Sequence, residues 1–344
     1  MSVAKEHEYH HSKPFNLELG GSISGLRLKY FTWGELNEDK SNVIWVFHAL
    51  TANANVEAWW PEMVGEDYLF KPSEHFIICV NLLGSCYGST GPLDINPATK
   101  EKYYGDFPKI TMRDIVNSCR LVKDDLGISS ALMGAGASMG ACLGLEWSIM
   151  EPDFFKELLI VGCSAKESAW GKAIHTAHRM ALEADETWGE RRDDAGAKGL
   201  AASRAFGMVV YRSFECFNHF QKDEEDILGE YKAESYQRYQ GQKLVDRFNA
   251  YSYDALLKAL DTHNVGRGRG SIVKALAQIK AKAILIGIDS DILYPTQEQF
   301  FLHEHIPDSY YESIGSLYGH DGFLIETKEI KEVYYRSLNK NENQ

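Results

Sequence analysis

The chain has no cysteine pair at metal or redox spacing. Its six cysteines (Cys79, Cys86, Cys119, Cys142, Cys163 and Cys216) are scattered, with no C-x-x-C among them. That excludes the common zinc signature and the dense disulfide framework of a small secreted scaffold. Free thiols in a reducing compartment are the expectation, and no metal site is expected. No apolar run approaches the roughly 20 residues of a membrane-spanning helix. The opening MSVAKEHEYHHSKPF has no apolar stretch of the kind a secretory signal carries, so a cytoplasmic protein without a membrane partner is expected. Internal repeats are absent, and the only low-complexity tail is the polar last six residues. Positive charge is in deficit: 36 Lys and Arg against 49 Asp and Glu give a net charge of −13. That argues against nucleic acid or an anionic membrane surface as the main partner. An anionic substrate therefore needs a local cationic pocket.

What the chain does have is core-forming material: 44% hydrophobic and 12% aromatic residues over 344 positions. Leu26 to Trp33 reads as an early strand. Val43 to Leu50 and Phe76 to Leu83 are continuous apolar runs, as strands buried on both faces of a parallel sheet require. Leu158 to Cys163, Ala281 to Ile288 and Tyr310 to Ile314 complete the set. Thr111 to Leu126 has apolar residues at helical spacing, with Asp114 near its start. Strands alternating with helices predict a parallel, doubly wound α/β sheet. Residues 1–15 read as a flexible or edge segment. Residues 84–108 form a long Gly/Pro-rich stretch, and a loop of that length is usually functional. Between about Lys166 and Ile279 the composition turns to Ala, Glu, Arg and Tyr with helical patterning. This predicts a helical cap (166–279) inserted into a core made of 1–165 and 280–344. Gly266 to Gly270, reading GRGRG, suits a loop or one wall for a phosphate-bearing ligand.

The most informative stretch is Ala131 to Trp147, ALMGAGASMGACLGLEW. An apolar run enters a turn of small residues from Gly134 to Gly140 and leaves as a helix. Gly136-Ala137-Ser138-Met139-Gly140 fits G-x-S-x-G, the nucleophile elbow of α/β-hydrolase folds. There, glycines let strand and helix backbones crowd a strained serine. A dinucleotide-binding turn fits less well, because G-x-G-x-x-x-G is one residue too long. An ordinary tightly packed strand–helix junction is the plain alternative.

A nucleophilic Ser138 needs a base and an acid to orient it, and in this fold the order is Ser, Asp/Glu, His. Asp289 and Asp291 follow the strand that ends at Ile288. Tyr318-Gly319-His320-Asp321-Gly322 then sets His320 in a glycine-flanked loop before an apolar run, as a mobile base requires. His303 and His305 lack that setting. His175 and His178 have the spacing of a metal pair but no third ligand, so they read as structural or pocket-lining. The developing oxyanion needs two donors. Met139 N–H follows the nucleophile, and Leu50 N–H lies in the loop after an early buried strand.

Taken together, FHALTANANVEAWW, VNLLGSCYGSTGPLDINP, DFPKITMRDIV, GASMGACLGLEW, IDSDILYPTQ and YGHDGFL resemble the homoserine O-acetyltransferase family. Parts of the cap share the likeness, among them Ser203-Arg204 and Arg247-Phe248-Asn249. The resemblance implies an α/β-hydrolase fold and a ping-pong acyl transfer from acyl-CoA to L-homoserine, with acetyl-CoA as co-substrate and no bound cofactor. It makes Asp291, in S-D-x-L-x-P, the acid beside His320. It assigns Arg179 to the substrate carboxylate and Asp321 to its ammonium group, and it implies a homodimer. Ala137, Ala141-Cys142 and Gly189 to Arg192 depart from the family pattern and leave acetyl or succinyl donor, and homoserine or serine acceptor, open. An esterase or thioesterase on the same triad is the alternative activity.

Overall fold

The continuous apolar runs become the middle of one sheet. The computed structural model describes residues 3–224 and 228–339. Its strands are β1 (Lys5–His10), β2 (Phe15–Asn16), β3 (Ser22–Ile23), β4 (Arg27–Trp33), β5 (Val43–Phe47), β6 (Phe76–Val80), β7 (Ala131–Ala137), β8 (Phe155–Val161), β9 (Lys282–Ile288) and β10 (Ser309–Ile314). Eight of them form one sheet in the order β1-β4-β6-β5-β7-β8-β9-β10, while β2 and β3 pair separately. The six from β6 to β10 in that order run parallel, and β4 and β1 add antiparallel pairs at one edge. The N-terminal segment is thus an edge strand over residues 5–10. The order reverses at β5, which pairs with β6 on one side and β7 on the other. In doubly wound sheets ligands bind at such a switch point, beyond the strands' carboxyl ends.

Alternation explains why these strands read as unbroken hydrophobic runs. Val43, Trp45 and Phe47 of β5 join one buried cluster, and Ile44 and Val46 join another on the opposite face. On the first face Trp147 stacks on Phe154 at 5.0 Å and meets Trp45 edge-on at 4.9 Å. The helices flanking the sheet are α1 (Met112–Asp125), α2 (Met139–Met150), α9 (Thr296–His305), α10 (Gly322–Ile325) and α11 (Thr327–Asn339). The start of α1 is fixed by reciprocal bonds between Thr111 and Asp114: Asp114 N–H donates to Thr111 Oγ1 at 3.2 Å and Thr111 N–H to Asp114 Oδ2 at 2.9 Å.

Between β8 and β9 lie α3 (Ala169–Glu183), α4 (Ala197–Tyr211), α5 (Phe214–Phe220), α6 (Lys232–Val245), α7 (Ala250–Asp261) and α8 (Ile272–Leu276). The chain leaves and returns through a hydrogen-bonded neck. Glu167 N–H donates to His263 O at 3.0 Å, and Val265 N–H to Ala165 O at 3.0 Å.

Two loops differ from expectation. The GRGRG segment is no ligand wall, because its arginines are already paired. Arg269 Nη2 lies 2.6 Å from the buried Glu146 of α2, and Arg267 Nη1 lies 2.5 Å from Glu18. Residues 84–108 do not line the cavity described below, although Tyr87 bonds the cavity-lining Arg247. They are stitched to β4 instead: Thr90 N–H donates to Arg27 O at 2.8 Å, and Arg27 pairs with Asp94 at 2.8 Å. Their length serves the sheet edge.

Candidate active site

The turn at the elbow is tighter than the run of small residues suggests. β7 continues through Ala137, and the reversal falls on Ser138 alone, at φ 54° and ψ −128°. Such a conformation costs a non-glycine residue on the order of 1–3 kcal/mol. It is held by Ser138 N–H donating to Val161 O at 3.0 Å and Cys142 N–H donating to Ser138 O at 3.1 Å. The glycines are needed for approach. A Cβ on Gly136 would lie 2.6 Å from the Gly140 carbonyl carbon, and one on Gly140 would collide with the Phe47 carbonyl. The start of α2 is therefore pressed against the end of β5.

Beyond β9 the chain turns, so Asp289 and Asp291 do not share a face. Asp289 is exposed and Asp291 is buried. Asp291 Oδ1 accepts Leu293 N–H at 2.8 Å and Tyr294 N–H at 2.9 Å, which leaves Oδ2 for His320 Nδ1 at 2.6 Å. His320 lies in a short helical turn, Gly319–Asp321, and is buried rather than in a mobile loop. Gly319 permits this: a Cβ there would sit 2.9 Å from backbone atoms of Tyr211, Arg212 and Ser213 at the end of α4. Burial pushes the His320 pKa down, but the Asp291 carboxylate, with Asp321 adding to it, carries it above the usual histidine value. His320 Nε2 is buried without a hydrogen-bond partner, and it shares a cavity with Ser138. A base whose free nitrogen faces the serine's cavity is arranged to accept a proton there. Such contacts often close only when substrate is bound.

The two expected oxyanion donors lie on neighbouring segments, since the start of α2 is pressed against the end of β5. Met139 opens α2, so its N–H has no partner within the helix and lies at the positive end of the helix dipole. The Leu50 N–H is oriented by a residue that pattern reading did not single out. His48 is fully buried, which drives its pKa down to about 4 and keeps the ring neutral. Its Nε2 accepts Leu82 N–H at 3.1 Å, so Nδ1 carries the proton and donates it to Ala49 O at 2.9 Å. Ala52 N–H donates to the same oxygen at 3.0 Å. The Ala49–Leu50 peptide is trans, so the Leu50 N–H points opposite to the pinned carbonyl. Leu50 lines the cavity with Ser138.

The cavity measures about 470 Å³. Among its lining residues Ser138, His320, Asp321, Leu293, Tyr294 and Phe323 are buried, while Lys243, Arg247 and Ala58 are exposed. In a chain of net charge −13 it is lined by three permanent cations, Arg204, Lys243 and Arg247, against one carboxylate, Asp321. Asp321 Oδ2 is 2.9 Å from Arg212 Nε, which holds that carboxylate in place beside His320.

Arg179 is not in this lining. Its Nη1 is 2.7 Å from Asp261 Oδ2 and its Nη2 donates to Thr176 at 3.1 Å. The physical reason is that α3 turns Arg179 toward α7, where Asp261 takes both Arg179 and His175 Nδ1, the latter at 2.7 Å. His175 faces the cavity, whereas the buried His178 bonds Ser203 Oγ at 2.7 Å and is pushed down to about 3 by burial. The inner cation is Arg204, on α4. Its guanidinium stacks 5.6 Å from the Tyr211 ring, which is itself 6.1 Å from His320. Sequence pattern offered no way to rank two arginines on neighbouring amphipathic helices.

The sheet and this strand-end arrangement define a protein of the α/β-hydrolase class, and residues 42–327 match the alpha/beta hydrolase fold family. A homoserine O-acetyltransferase of Cyclobacterium marinum is 45% identical over 318 residues, covering 92% of this chain and 91% of the relative. One of Chlorobaculum parvum is 46% identical over 323 residues, covering 93% and 91%. Within the class, the chain belongs to the homoserine O-acetyltransferase family. Solved structures share the fold at lower identity. The homoserine O-acetyltransferase from Bacillus anthracis superposes with a TM-score of 0.90 at 20% identity, over 97% of this chain and 98% of that one. Esterase E22 superposes with a TM-score of 0.86 at 23% identity, over 96% and 100%.

Proposed function

We propose that the protein transfers an acetyl group from acetyl-CoA to the side-chain hydroxyl of L-homoserine, a step of methionine biosynthesis. The observation that carries this reading is the pairing, in one cavity, of Ser138 and the His320–Asp291 couple with groups of opposite charge, Arg204 and Asp321. A zwitterionic amino acid needs both: a guanidinium for its carboxylate and a carboxylate for its ammonium. An esterase acting with water needs neither.

Ser138 Oγ attacks the thioester carbonyl as its proton passes to His320 Nε2, and Asp291 stabilises the imidazolium that forms. The Leu50 and Met139 N–H groups receive the negative charge developing on the carbonyl oxygen. The C–S bond breaks, His320 gives its proton to the departing thiolate, and CoA leaves as the thiol. Homoserine's hydroxyl then gives its proton to His320 and attacks the acyl-serine. The ester product departs, and the proton returns to Ser138 Oγ. No step is assigned to a bound metal or cofactor.

The outer faces of α3, α4 and α5 expose Trp170, Met180, Phe206, Val209 and Phe214. Exposed apolar side chains on three cap helices favour association with a second copy, and we assign the homodimer to these helices. Among the described residues no helix is long and apolar enough to cross a membrane. The six cysteines are all free, which favours a cytoplasmic location.

The test follows thiol release from acetyl-CoA or succinyl-CoA, each with homoserine, with serine, or with no amino acid. Release that depends on homoserine is expected, fastest with acetyl-CoA. Release indifferent to any amino acid sinks the transferase reading in favour of a hydrolase.

A further inference from the structure

Two of the cavity's three cations have no task in the chemistry above. Lys243 and Arg247 are its solvent-exposed cations, whereas Ser138 and His320 are buried. They lie four positions apart, Lys243 in the last turn of α6 and Arg247 just beyond it. Arg247 is fixed without being neutralised. Its Nη1 donates to Thr51 O and to Tyr87 Oη at 2.7 Å, and its Nη2 to Thr51 Oγ1 at 3.4 Å. All of these acceptors are uncharged. The intervening Asp246 accepts from Gln242 at 2.7 Å. Lys243 sits 5.8 Å from the Tyr239 ring and has no carboxylate partner among the described residues.

We propose that Lys243 and Arg247 form a clamp for the phosphate groups at the nucleotide end of the acyl-CoA donor. The inference rests on the acetyl-CoA reading of the site and names the residues that would select that donor. An acyl-CoA carries its thioester at one end and its phosphates at the other, with an uncharged arm between them. The cavity offers matching groups: a buried nucleophile, apolar lining that includes Leu50, Trp59 and Leu324, and two cations exposed to solvent. A guanidinium already held by neutral acceptors binds phosphate at little further ordering cost, and its fork matches phosphate oxygens. Arg247 anchors on Thr51, the residue after Leu50. Phosphate bound there therefore also steadies the loop that presents the Leu50 N–H.

The clamp is read without catalysis by titrating adenosine 3′,5′-bisphosphate into the full chain by calorimetry. Lys243→Ala is the cleaner variant, because Arg247→Ala also frees the Thr51 loop; Arg247→Lys keeps the charge and loses the fork. Roughly tenfold weaker binding is expected for Lys243→Ala, as for loss of one charge-assisted contact. Parent affinity should fall steeply with added KCl. The kinetic counterpart is the ratio of kcat/KM for acetyl-CoA over S-acetyl-pantetheine, which should drop about tenfold in either variant. If the bisphosphate binds parent and Lys243→Ala alike, or does not bind the parent, the clamp is wrong and Lys243 only serves the end of α6. If it binds through Lys243 while the parent transfers acetyl from neither donor, the clamp stands and the acetyl-transfer reading falls.

Discussion

At the strand ends each reacting group is over-determined. Ser138 is strained but held by two backbone bonds, Asp291 has two amide donors, His320 is pinned through Nδ1, and the Leu50 peptide is fixed by His48 and Ala52. On the facing helical wall the pattern inverts. Arg204, Lys243 and Arg247 keep uncompensated charge, while the arginine that found a carboxylate, Arg179, left the cavity. Under the proposed function, the difference separates residues that do chemistry from residues that choose the substrate. The rim needs fixed geometry before substrate arrives, and the wall needs charge that only the ligand satisfies.

Breaking the rim should cost most. Ser138→Ala is expected to lower kcat by about 10⁴-fold or more, and Asp291→Asn by about 10³- to 10⁴-fold. Both are read from thiol release, and residual turnover near the parent's in Ser138→Ala would refute the nucleophile. The Asp291 variant also carries a pH signature. His320 must be unprotonated to take the serine proton, and Asp291 raises its pKa. The acid limb of kcat/KM in the parent therefore lies above the usual histidine value. Without the carboxylate, burial dominates and the limb moves to lower pH even as the rate falls; an unmoved limb would mean that His320 is not the titrating base.

His48→Ala removes one of the two bonds on the Ala49 carbonyl, leaving only the Ala52 N–H, and loosens the Leu50 N–H. About 10²-fold in kcat should be lost, with KM for homoserine little changed, the scale of one oxyanion donor. A loss confined to thermal stability would reduce His48 to packing. On the wall, Arg204→Ala should lower kcat/KM for homoserine by roughly 10- to 100-fold, from a charged hydrogen bond's 1.5–3 kcal/mol. Arg179→Ala should change it less than about threefold and cost at most about 1 kcal/mol of stability. Reversal of the two arginines would overturn the placement of the carboxylate.

The rim was legible in the sequence because its signals are local. G-x-S-x-G demands close backbone approach at Gly136 and Gly140, S-D-x-L-x-P follows a strand, and glycine flanks His320. The doubly wound sheet was legible for a similar reason, since two-sided burial writes continuous apolar runs such as Val43 to Phe47. The wall was not legible. Which arginine faces the cavity depends on helix rotation and on a distant partner, Asp261, that no local pattern links to Arg179. The long segment 84–108 reads as a binding loop from its turns, yet Thr90 and Asp94 tie it to β4, and Tyr87 bonds a cavity cation, Arg247. His48 escaped notice because its work is done on a neighbouring carbonyl.

The neck at Glu167–His263 and Ala165–Val265 has an evolutionary consequence. The five helices from α3 to α7 hang from a junction only a few residues wide, where the chain comes back beside its point of departure. A sheet that sees only this junction is indifferent to what is threaded through it. Lengthening, shortening or resurfacing the helices alters what enters the cavity while leaving the serine, histidine and aspartate where the strands put them. One catalytic frame can in this way acquire new acceptors and donors by trading its wall alone.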